Sequence, residues 1–159
     1  MPRLDPSLVE VYVFRRRGRR IEFLMLRRRP GEWLAGVWQP VTGTLRRRER
    51  AVRGALREVR EETGLVPRRL WRLEALAGYF DPGRDTLRFV TVFAVEVASS
   101  DVVRLSREHT AHRFVSAGEA ARHFLWDAQR QGLAAVRRQV LRGGALAGAL
   151  EIPIPAARR

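Results

Sequence analysis

The 159-residue sequence predicts an α/β fold in which one β-sheet lies between two layers of helices. Two observations support this prediction. Segments with the two-residue alternation of strands stand both before and after one long segment with helical periodicity. Two more helical segments follow near the C-terminal end. Strands on both sides of a long helix, with later helices, are typical of a three-layer α/β/α arrangement.

The first strands come before the long helix. Valines at every second position predict a strand over residues 8–14, and residues 21–26 form a second, more apolar one. The arginine-rich residues 15–20, with Gly18, predict a hairpin turn between them. A Pro-Gly loop over residues 30–36 and a short extended segment over residues 38–42 then lead into the helix.

The later elements complete the sheet and the second helical layer. We predict strands over residues 70–80, 86–97 and 110–115, and helices over residues 117–124 and 127–141. The first two of these strands are joined by a turn at residues 81–83. We therefore divide the chain into a domain over residues 1–143 and a C-terminal tail over residues 144–159, which is either docked or disordered.

The long helix is amphipathic and ends near Glu62. One apolar stripe at spacings i, i+3, i+4 and i+7 contains Val52, Ala55, Leu56 and Val59. Gly64 follows the helix, as is typical where the chain needs a left-handed residue. Gly54 lies on the polar face, and we hypothesise that it leaves room for a large group beside a bound ion.

Three carboxylates share the polar face of this helix. Glu58, Glu61 and Glu62 follow the spacing i, i+3, i+4, which brings them within a few ångströms of one another. Like charges that close repel one another, so the cluster indicates that a cation belongs between them. A plain solvated helix face is the alternative interpretation.

The segment over residues 43–65 resembles the signature of the Nudix hydrolase family, G-x5-E-x7-R-E-U-x-E-E-x-G-U, where U is aliphatic. Every defined position is filled, by Gly43, Glu49, Arg57, Glu58, Val59, Glu61, Glu62, Gly64 and Leu65. A solvated surface helix would not need the flanking glycines and the Arg-Glu pair in register. The resemblance implies a Nudix-type α/β/α sandwich with a mixed central sheet and a catalytic loop-helix-loop.

The resemblance also implies the chemistry. Family members mostly cleave a diphosphate linkage by attack of water on phosphorus, with Mg²⁺, or Mn²⁺ in its place, held by hard oxygen ligands. Glu58 and Glu62 are the strongest ligand candidates. Glu61 is expected to join through a second ion or a water, and Glu108, in a later loop, as a ligand or a base. Both are therefore also catalytic candidates.

Arg57 and Glu49 have a supporting role in this resemblance. Arg57 is expected to pair with motif carboxylates, Glu49 among them, and to hold them in place. The chain departs from the family pattern just before Glu49, where members often carry acidic residues and a glycine. Here Arg46, Arg47 and Arg48 stand instead, and the missing glycine is expected to alter the turn.

Within the family, the chain looks like the subgroup that removes pyrophosphate from dihydroneopterin triphosphate and dATP-like nucleotides. That resemblance places Arg28, Thr42 and Gly43 at the substrate. Trp33, Trp38 and Phe80 are candidates to stack on a base or pterin, although tryptophans are more often buried in a core.

The composition fits a globular protein. Apolar residues make up 45% of the chain, and no apolar run approaches the roughly 20 residues that a membrane span needs. The chain has no cysteine, which excludes disulfides and thiolate metal sites. Its start lacks a signal-peptide pattern, so we expect a cytoplasmic protein without a membrane partner.

The net charge of +14 comes entirely from arginine, since the chain contains no lysine. Arginine binds phosphate through a planar fork, so the charge suits anionic small molecules and is compatible with nucleic acid. Because the arginines are spread along the whole chain, a compositional bias explains them better, and a nucleic-acid partner is not favoured.

Three functions follow from these observations. The first is a Nudix pyrophosphohydrolase that acts on a nucleoside or pterin triphosphate and releases pyrophosphate and a monophosphate. The second is a hydrolase of RNA 5′ ends or dinucleoside polyphosphates, which the arginine content favours. The third is a non-catalytic module that senses a nucleotide; the complete set of crowded glutamates argues against it.

Overall fold

A computed structural model describes residues 1–155, which form eight strands and four helices. The strands are β1 (Arg3–Arg17), β2 (Arg20–Arg28), β3 (Trp38–Gln39), β4 (Val41–Thr44), β5 (Arg69–Asp81), β6 (Thr86–Val97), β7 (His109–Val115) and β8 (Glu151–Ile152). The helices are α1 (Ala51–Thr63), α2 (Ala117–His123), α3 (Asp127–Val136), which continues as a π-helical turn (Arg137–Leu141), and α4 (Gly144–Leu150).

The sheet is mixed, and β1 runs through its middle. β1 pairs in parallel with β6 along one edge. Along its other edge it pairs with β2 as far as Phe14 and Phe23, after which β1 and β2 separate. β4 then pairs with β1 over residues 8–11, and β3 pairs with β2 at Leu26 and Arg27. The short strands β3 and β4 therefore fill the gap between the long ones and lead directly into the turn before α1.

Two hydrophobic cores lie on opposite faces of the sheet, as the three-layer prediction requires. The alternation in β1 sends Val9 and Val11 to the face covered by α1, where they pack near Val59. It sends Tyr12 and Phe14 to the face covered by α2 and α3. The predicted α/β/α sandwich with a mixed central sheet is confirmed.

The boundaries differ from the predictions at both ends of the chain. β1 begins at Arg3, five residues before the predicted start, because its first residues pair with β6 beyond the valine alternation. Residues 144–152, predicted as part of a tail, form α4 and β8, and β8 pairs with Leu70 and Trp71. Residues 156–159 of that predicted tail lie outside the described residues. The domain boundary at residue 143 stays a prediction.

A side chain from the π-helical turn binds the backbone of an irregular part of β5. The pairing of β5 with β6 is irregular between Arg72 and Leu76. There the Gln139 amide accepts a hydrogen bond from the Glu74 N–H (2.9 Å) and donates one to the Glu74 carbonyl (3.4 Å). Gln139 thus satisfies both backbone groups that a neighbouring strand would otherwise pair.

Across residues 1–155, the helices are too short or too polar to reach from one side of a bilayer to the other.

Candidate active site

The first part of the site is a close packing of α1 against β4. Gly43 lies opposite Val9 in the sheet and therefore faces α1. The Glu58 carboxyl group occupies the space that a Cβ atom on Gly43 would need. Only a glycine at this position lets the Glu58 side chain lie flat against the strand. This physical role was not apparent from the sequence, where Gly43 is predicted to contact substrate.

Glu62, one turn further along α1, is the most buried of the three carboxylates. Its residue is 4% exposed, and Oε2 has no hydrogen-bond partner among the described residues. Burial, followed by the charges of Glu58 and Glu108, raises the pKa of Glu62 to about 9. Burial likewise raises the pKa of Glu58. A pair of crowded, desolvated carboxylates of this kind is stabilised in its ionised form by a cation.

Glu108 reaches the same place from a different part of the chain. Backbone hydrogen bonds tie the preceding loop to the end of α1, from Arg104 N to Thr63 O (2.7 Å) and from Ser106 N to Glu62 O (3.1 Å). The Glu108 side chain is exposed, yet it is near enough for its charge to raise the pKa values of both Glu58 and Glu62. The structure therefore brings Glu108 beside the motif carboxylates.

Arg57 connects the remaining carboxylates of the motif. Its guanidinium donates to both carboxylate oxygens of Glu49, from Nε and Nη2, at 2.8 Å each. Nη1 donates to Glu58 (2.6 Å) and to Glu61 (2.9 Å). These hydrogen bonds hold the pKa of Glu49 at about 2 and raise the pKa of Arg57. The expected pairing of Arg57 with Glu49 is present, and Glu61 is the more exposed of its partners.

The turn before α1 shows the effect of the missing glycine. Arg48 has φ +63°, a left-handed conformation that glycine adopts without strain and other residues rarely do. The turn is closed by Glu49 N donating to Arg46 O and by Arg46 N donating to the Glu49 carboxylate, each at 2.9 Å. The missing glycine thus leaves a strained arginine in a turn that is closed by hydrogen bonds.

The hypothesis for Gly54 is wrong. A Cβ atom at this position would collide with the side chain of Leu45 and lie 3.2 Å from Glu49 Oε2. The space beside Gly54 is therefore occupied by the turn before the helix, so no room is left there for a ligand. Gly54 lets that turn pack against α1 and keeps Glu49 within reach of Arg57.

Of the two other predicted substrate residues, Arg28 lies near the carboxylates and Thr42 faces the other side of the sheet. Arg28 is close enough to Glu62 for its positive charge to lower the pKa of that carboxyl group, against the effect of burial. Its Nε donates to the Trp33 carbonyl (2.8 Å). Thr42 lies opposite Glu10 in the sheet and points away from α1, with Oγ1 3.4 Å from Gln39 Nε2.

Some buried polar residues at the site were not predicted. His109 is 3% exposed, its Nε2 lies 3.4 Å from Gln39 Nε2, and burial lowers its pKa to about 4, so its ring is neutral near pH 7. The sequence signal for this residue is weak, since a histidine at the start of a strand is commonly structural.

On the other face of the sheet, Glu10 accepts a hydrogen bond from the Tyr12 hydroxyl (2.6 Å) and one from Gln129 Nε2 (3.3 Å). Burial raises the pKa of Glu10. The valine alternation could have revealed this network, because it puts Glu10 and Tyr12 together on the face opposite the valines.

Among residues 1–155, no three acidic or histidine side chains already stand close enough together to enclose a metal ion. Glu62 and Glu58 are nevertheless brought together with Glu108, and Glu61 is drawn to one side by Arg57 and by Arg46 (2.8 Å). The predicted site residues of α1, together with Gly43, Arg28 and Glu108, thus lie around the surface formed by α1, β4 and the loop before β7, whereas Thr42 faces the other side of the sheet.

Comparison with known proteins agrees with this fold. Residues 6–136 match the family model described as NUDIX domain. A rat bis(5′-nucleosyl)-tetraphosphatase [asymmetrical] is 35% identical over 102 residues, which cover 63% of this chain and 67% of the rat protein.

Solved structures give the same result. A Listeria monocytogenes protein assigned as a NUDIX hydrolase has a TM-score of 0.74 at 26% identity, covering 87% of this chain and 96% of its own. A C. elegans Ap4A hydrolase (TM-score 0.71, 20% identity, 86% and 98% covered) and the E. coli dihydroneopterin triphosphate pyrophosphohydrolase (0.67, 21%, 87% and 99%) share the fold. These matches therefore do not favour the dihydroneopterin triphosphate subgroup over the Ap4A hydrolases. The match over residues 6–136 shows that this chain belongs to the Nudix family.

Proposed function

We propose that the chain is a Mg²⁺-dependent hydrolase that cleaves a diphosphate linkage in a nucleoside or pterin triphosphate, releasing pyrophosphate and a monophosphate by water attack. The observation that carries the proposal is the buried Glu62 carboxylate, whose Oε2 lacks a partner in the described part of the chain. It lies among other carboxylates, in a family of nucleotide-directed domains.

The residues present fit a hard divalent cation. Buried carboxylate oxygens without enough donors are suited to Mg²⁺ or Mn²⁺. Glu58 and Glu62 would hold the ion, and Glu61 and Glu108 would complete its surroundings directly or through water. When bound, the ion supplies charge neutralisation on phosphate oxygens and lowers the pKa of a coordinated water.

The chain's own residues then act on the substrate. Arg57 holds Glu49, Glu58 and Glu61 through hydrogen bonds of 2.6–2.9 Å, which restricts the carboxylates to one arrangement. Arg28 lies next to Glu62 and supplies a fixed positive charge suited to the phosphates. Glu61 or Glu108, both exposed, can accept a proton from an attacking water.

A second candidate substrate class is supported by the comparisons. The rat relative, which is 35% identical over 102 residues, is named as a bis(5′-nucleosyl)-tetraphosphatase, whereas the similarity to the E. coli pterin enzyme, at 21% identity, shows the fold alone. A dinucleoside polyphosphate presents the same diphosphate linkages to the same carboxylates. We therefore propose this class as the alternative, ahead of RNA 5′ ends and of a non-catalytic sensing role.

A substrate panel with Mg²⁺ tests both candidates by following pyrophosphate, phosphate and nucleotide products. It contains dATP and the other nucleoside triphosphates, dihydroneopterin triphosphate, diadenosine tetraphosphate, nucleotide sugars and triphosphorylated RNA. Pyrophosphate release from a triphosphate supports the first proposal, and asymmetric cleavage of the dinucleotide supports the second. No product from any member, with wild-type protein that is folded by circular dichroism, overturns the enzymatic proposal.

A further inference from the structure

Trp33 and Trp126 lie on the surface and face each other, and neither has a role in the site as described above. Trp33 is 72% exposed and Trp126 is 48% exposed. Their ring centroids are 6.5 Å apart and their planes differ by 25°, which is a stacked arrangement. By contrast, Trp71 is 1% exposed within the core. Two large exposed aromatic rings side by side mark a binding surface more often than chance.

The backbone under Trp33 is well fixed. Its loop contains three residues with positive φ, Gly31, Leu34 and Gly36, and is held by hydrogen bonds to the end of β2. Gly36 N donates to Arg28 O (3.0 Å), and Arg28 Nε donates to Trp33 O (2.8 Å). The loop is therefore tied to the end of β2, while the indole itself projects into solvent.

The backbone under Trp126 is fixed in a similar way. Arg130 donates to the carbonyls of Phe124 (2.5 Å) and Leu125 (3.3 Å) in the connection between α2 and α3. The Trp126 carbonyl accepts a hydrogen bond from Gln129 N (3.0 Å) at the start of α3. Both indoles are thus presented by backbone that is held in place, which lowers the entropic cost of binding a ring between or upon them.

Arg28 lies between the Trp33 loop and the carboxylates. Its Nε is hydrogen-bonded to the backbone of Trp33, and its charge acts on Glu62. The Arg28 side chain is therefore held by the backbone of the Trp33 loop, with its charge near the cluster of acids. A ligand that carries a planar ring and a polyphosphate chain matches this order of aromatic surface, positive charge and carboxylate cluster.

We propose that Trp33 and Trp126 bind the planar heteroaromatic ring of the substrate, while Arg28 contacts the phosphate chain that leads to the carboxylates. This inference rests on the proposed function, since it assigns the ring-binding part of the same site. A centroid separation of 6.5 Å is at the wide end of the range of about 4.5–7 Å for stacked pairs, so the two rings hold each other weakly. A flat ring can therefore lie on either indole or enter between them after a small rotation.

Stacking also predicts what the surface recognises. Every nucleobase, and a pterin, has a flat π-face, so stacking tolerates different rings and selects chiefly for the presence of one. We therefore expect the protein to prefer ring-bearing polyphosphates over bare polyphosphate, with modest discrimination among rings.

The test compares substrates with and without a ring. Trp33→Leu and Trp126→Leu keep an apolar side chain but remove the indole. Each is expected to raise KM for dATP about ten-fold, with little change in kcat, because one stacking partner is worth about a factor of ten or more. Hydrolysis of inorganic tripolyphosphate is expected to stay unchanged. Dihydroneopterin triphosphate is measured in parallel, to separate a nucleobase from a pterin as the ring bound.

Tyr79→Leu is the matched control, since Tyr79 is an exposed aromatic residue of β5, 50% exposed, outside this pair. Equal KM values for wild type and both tryptophan variants on every ring-bearing substrate would overturn the inference, as would an equal loss on tripolyphosphate. If the wild-type protein hydrolyses nothing, the proposed function fails, and the binding of dATP measured by calorimetry then tests the ring-binding inference. An affinity about ten-fold weaker in both tryptophan variants supports ring binding. An unchanged affinity overturns it.

Discussion

Arg57 and Glu49 form a two-pronged ion pair, in which two guanidinium nitrogens each donate to a different carboxylate oxygen at 2.8 Å. A lysine carries the same charge but cannot make this planar fork. We expect Arg57→Lys to lower kcat about 10–100-fold, the cost usual for residues that orient metal ligands, while the protein stays folded. Steady-state kinetics and circular dichroism measure both. Arg60→Lys, on the same helix, is the control and should keep wild-type activity.

The same ion pair predicts how stability depends on acid. Because Arg57 holds the pKa of Glu49 at about 2, against its usual 4.5, Glu49 stabilises the fold fully above pH 4.5. That contribution is lost as the pH falls from 4.5 through 2, where folded Glu49 becomes protonated. Glu49→Gln should therefore be less stable than wild type at pH 7, with the difference shrinking below pH 4.5. Urea unfolding at several pH values tests this; a difference independent of pH would contradict it.

Glu62 gives the opposite dependence on pH. Its pKa is raised from 4.5 to about 9 without metal, so folding keeps a proton that the unfolded chain has lost. Between pH 4.5 and 9 the buried carboxyl group progressively destabilises the metal-free protein. In EDTA, the melting temperature of Glu62→Gln should exceed that of wild type by more at pH 8 than at pH 5.

Addition of Mg²⁺ extends the same comparison. The ion should raise the melting temperature of the wild type and raise that of Glu62→Gln much less, because the variant lacks the anionic ligand. Activity of the variant should fall by at least about 10²-fold in kcat. Glu74→Gln, which changes an exposed acid on β5, serves as the control for both measurements. An equal Mg²⁺ shift in both glutamine variants would exclude Glu62 as a ligand.

The contact between Gly43 and Glu58 predicts the effect of adding one methyl group at residue 43. Gly43→Ala places a Cβ where the Glu58 carboxyl group lies, so that side chain must move. We expect activity to fall strongly, by about 10²-fold, because a ligand displaced by an ångström no longer fits the reacting geometry. Gly148→Ala, in α4, meets nothing within 4 Å and should leave activity unchanged. Full activity in Gly43→Ala would show that Glu58 is not needed in this position.

Arg48 offers a stabilising substitution. Its φ of +63° costs a non-glycine residue about 1–2 kcal/mol, and glycine removes that strain at an entropic cost of about 0.5–1 kcal/mol. Arg48→Gly should therefore raise the free energy of unfolding by about 0.5–1 kcal/mol. Arg47→Gly is the matched control, since Arg47 lacks a positive φ, and it should leave stability unchanged or lower it. Denaturant unfolding of the two variants checks the sign.

The sequence predicted the layers and the acidic cluster because both depend on local periodicity. The alternation in β1 determines which residues face α1, and the i, i+3, i+4 spacing determines that Glu58, Glu61 and Glu62 share a face. Pairing of Arg57 with Glu49 followed from the family resemblance. These features need only neighbours in the chain, or a motif that is already continuous in sequence.

Features that depend on distant parts of the chain could not be predicted in this way. Gly54 is required by Leu45 across a turn, a contact that helical periodicity does not encode. The loop around Ser106 is hydrogen-bonded to the Glu62 backbone at the end of α1 from 44 positions later in the chain. The approach of Trp33 to Trp126 likewise joins two loops that lie far apart in sequence.

The hydrogen bonds of Gln139 and the pairing of β8 have a consequence for how another chain can approach β5. An open strand edge offers backbone groups on which another chain can add a strand, and such edges promote aggregation. Gln139 occupies both groups of Glu74, and β8 occupies the edge at Leu70 and Trp71. The backbone groups of Glu74 and the edge at Leu70 and Trp71 are thus not available to pair with an added β-strand in the first half of β5.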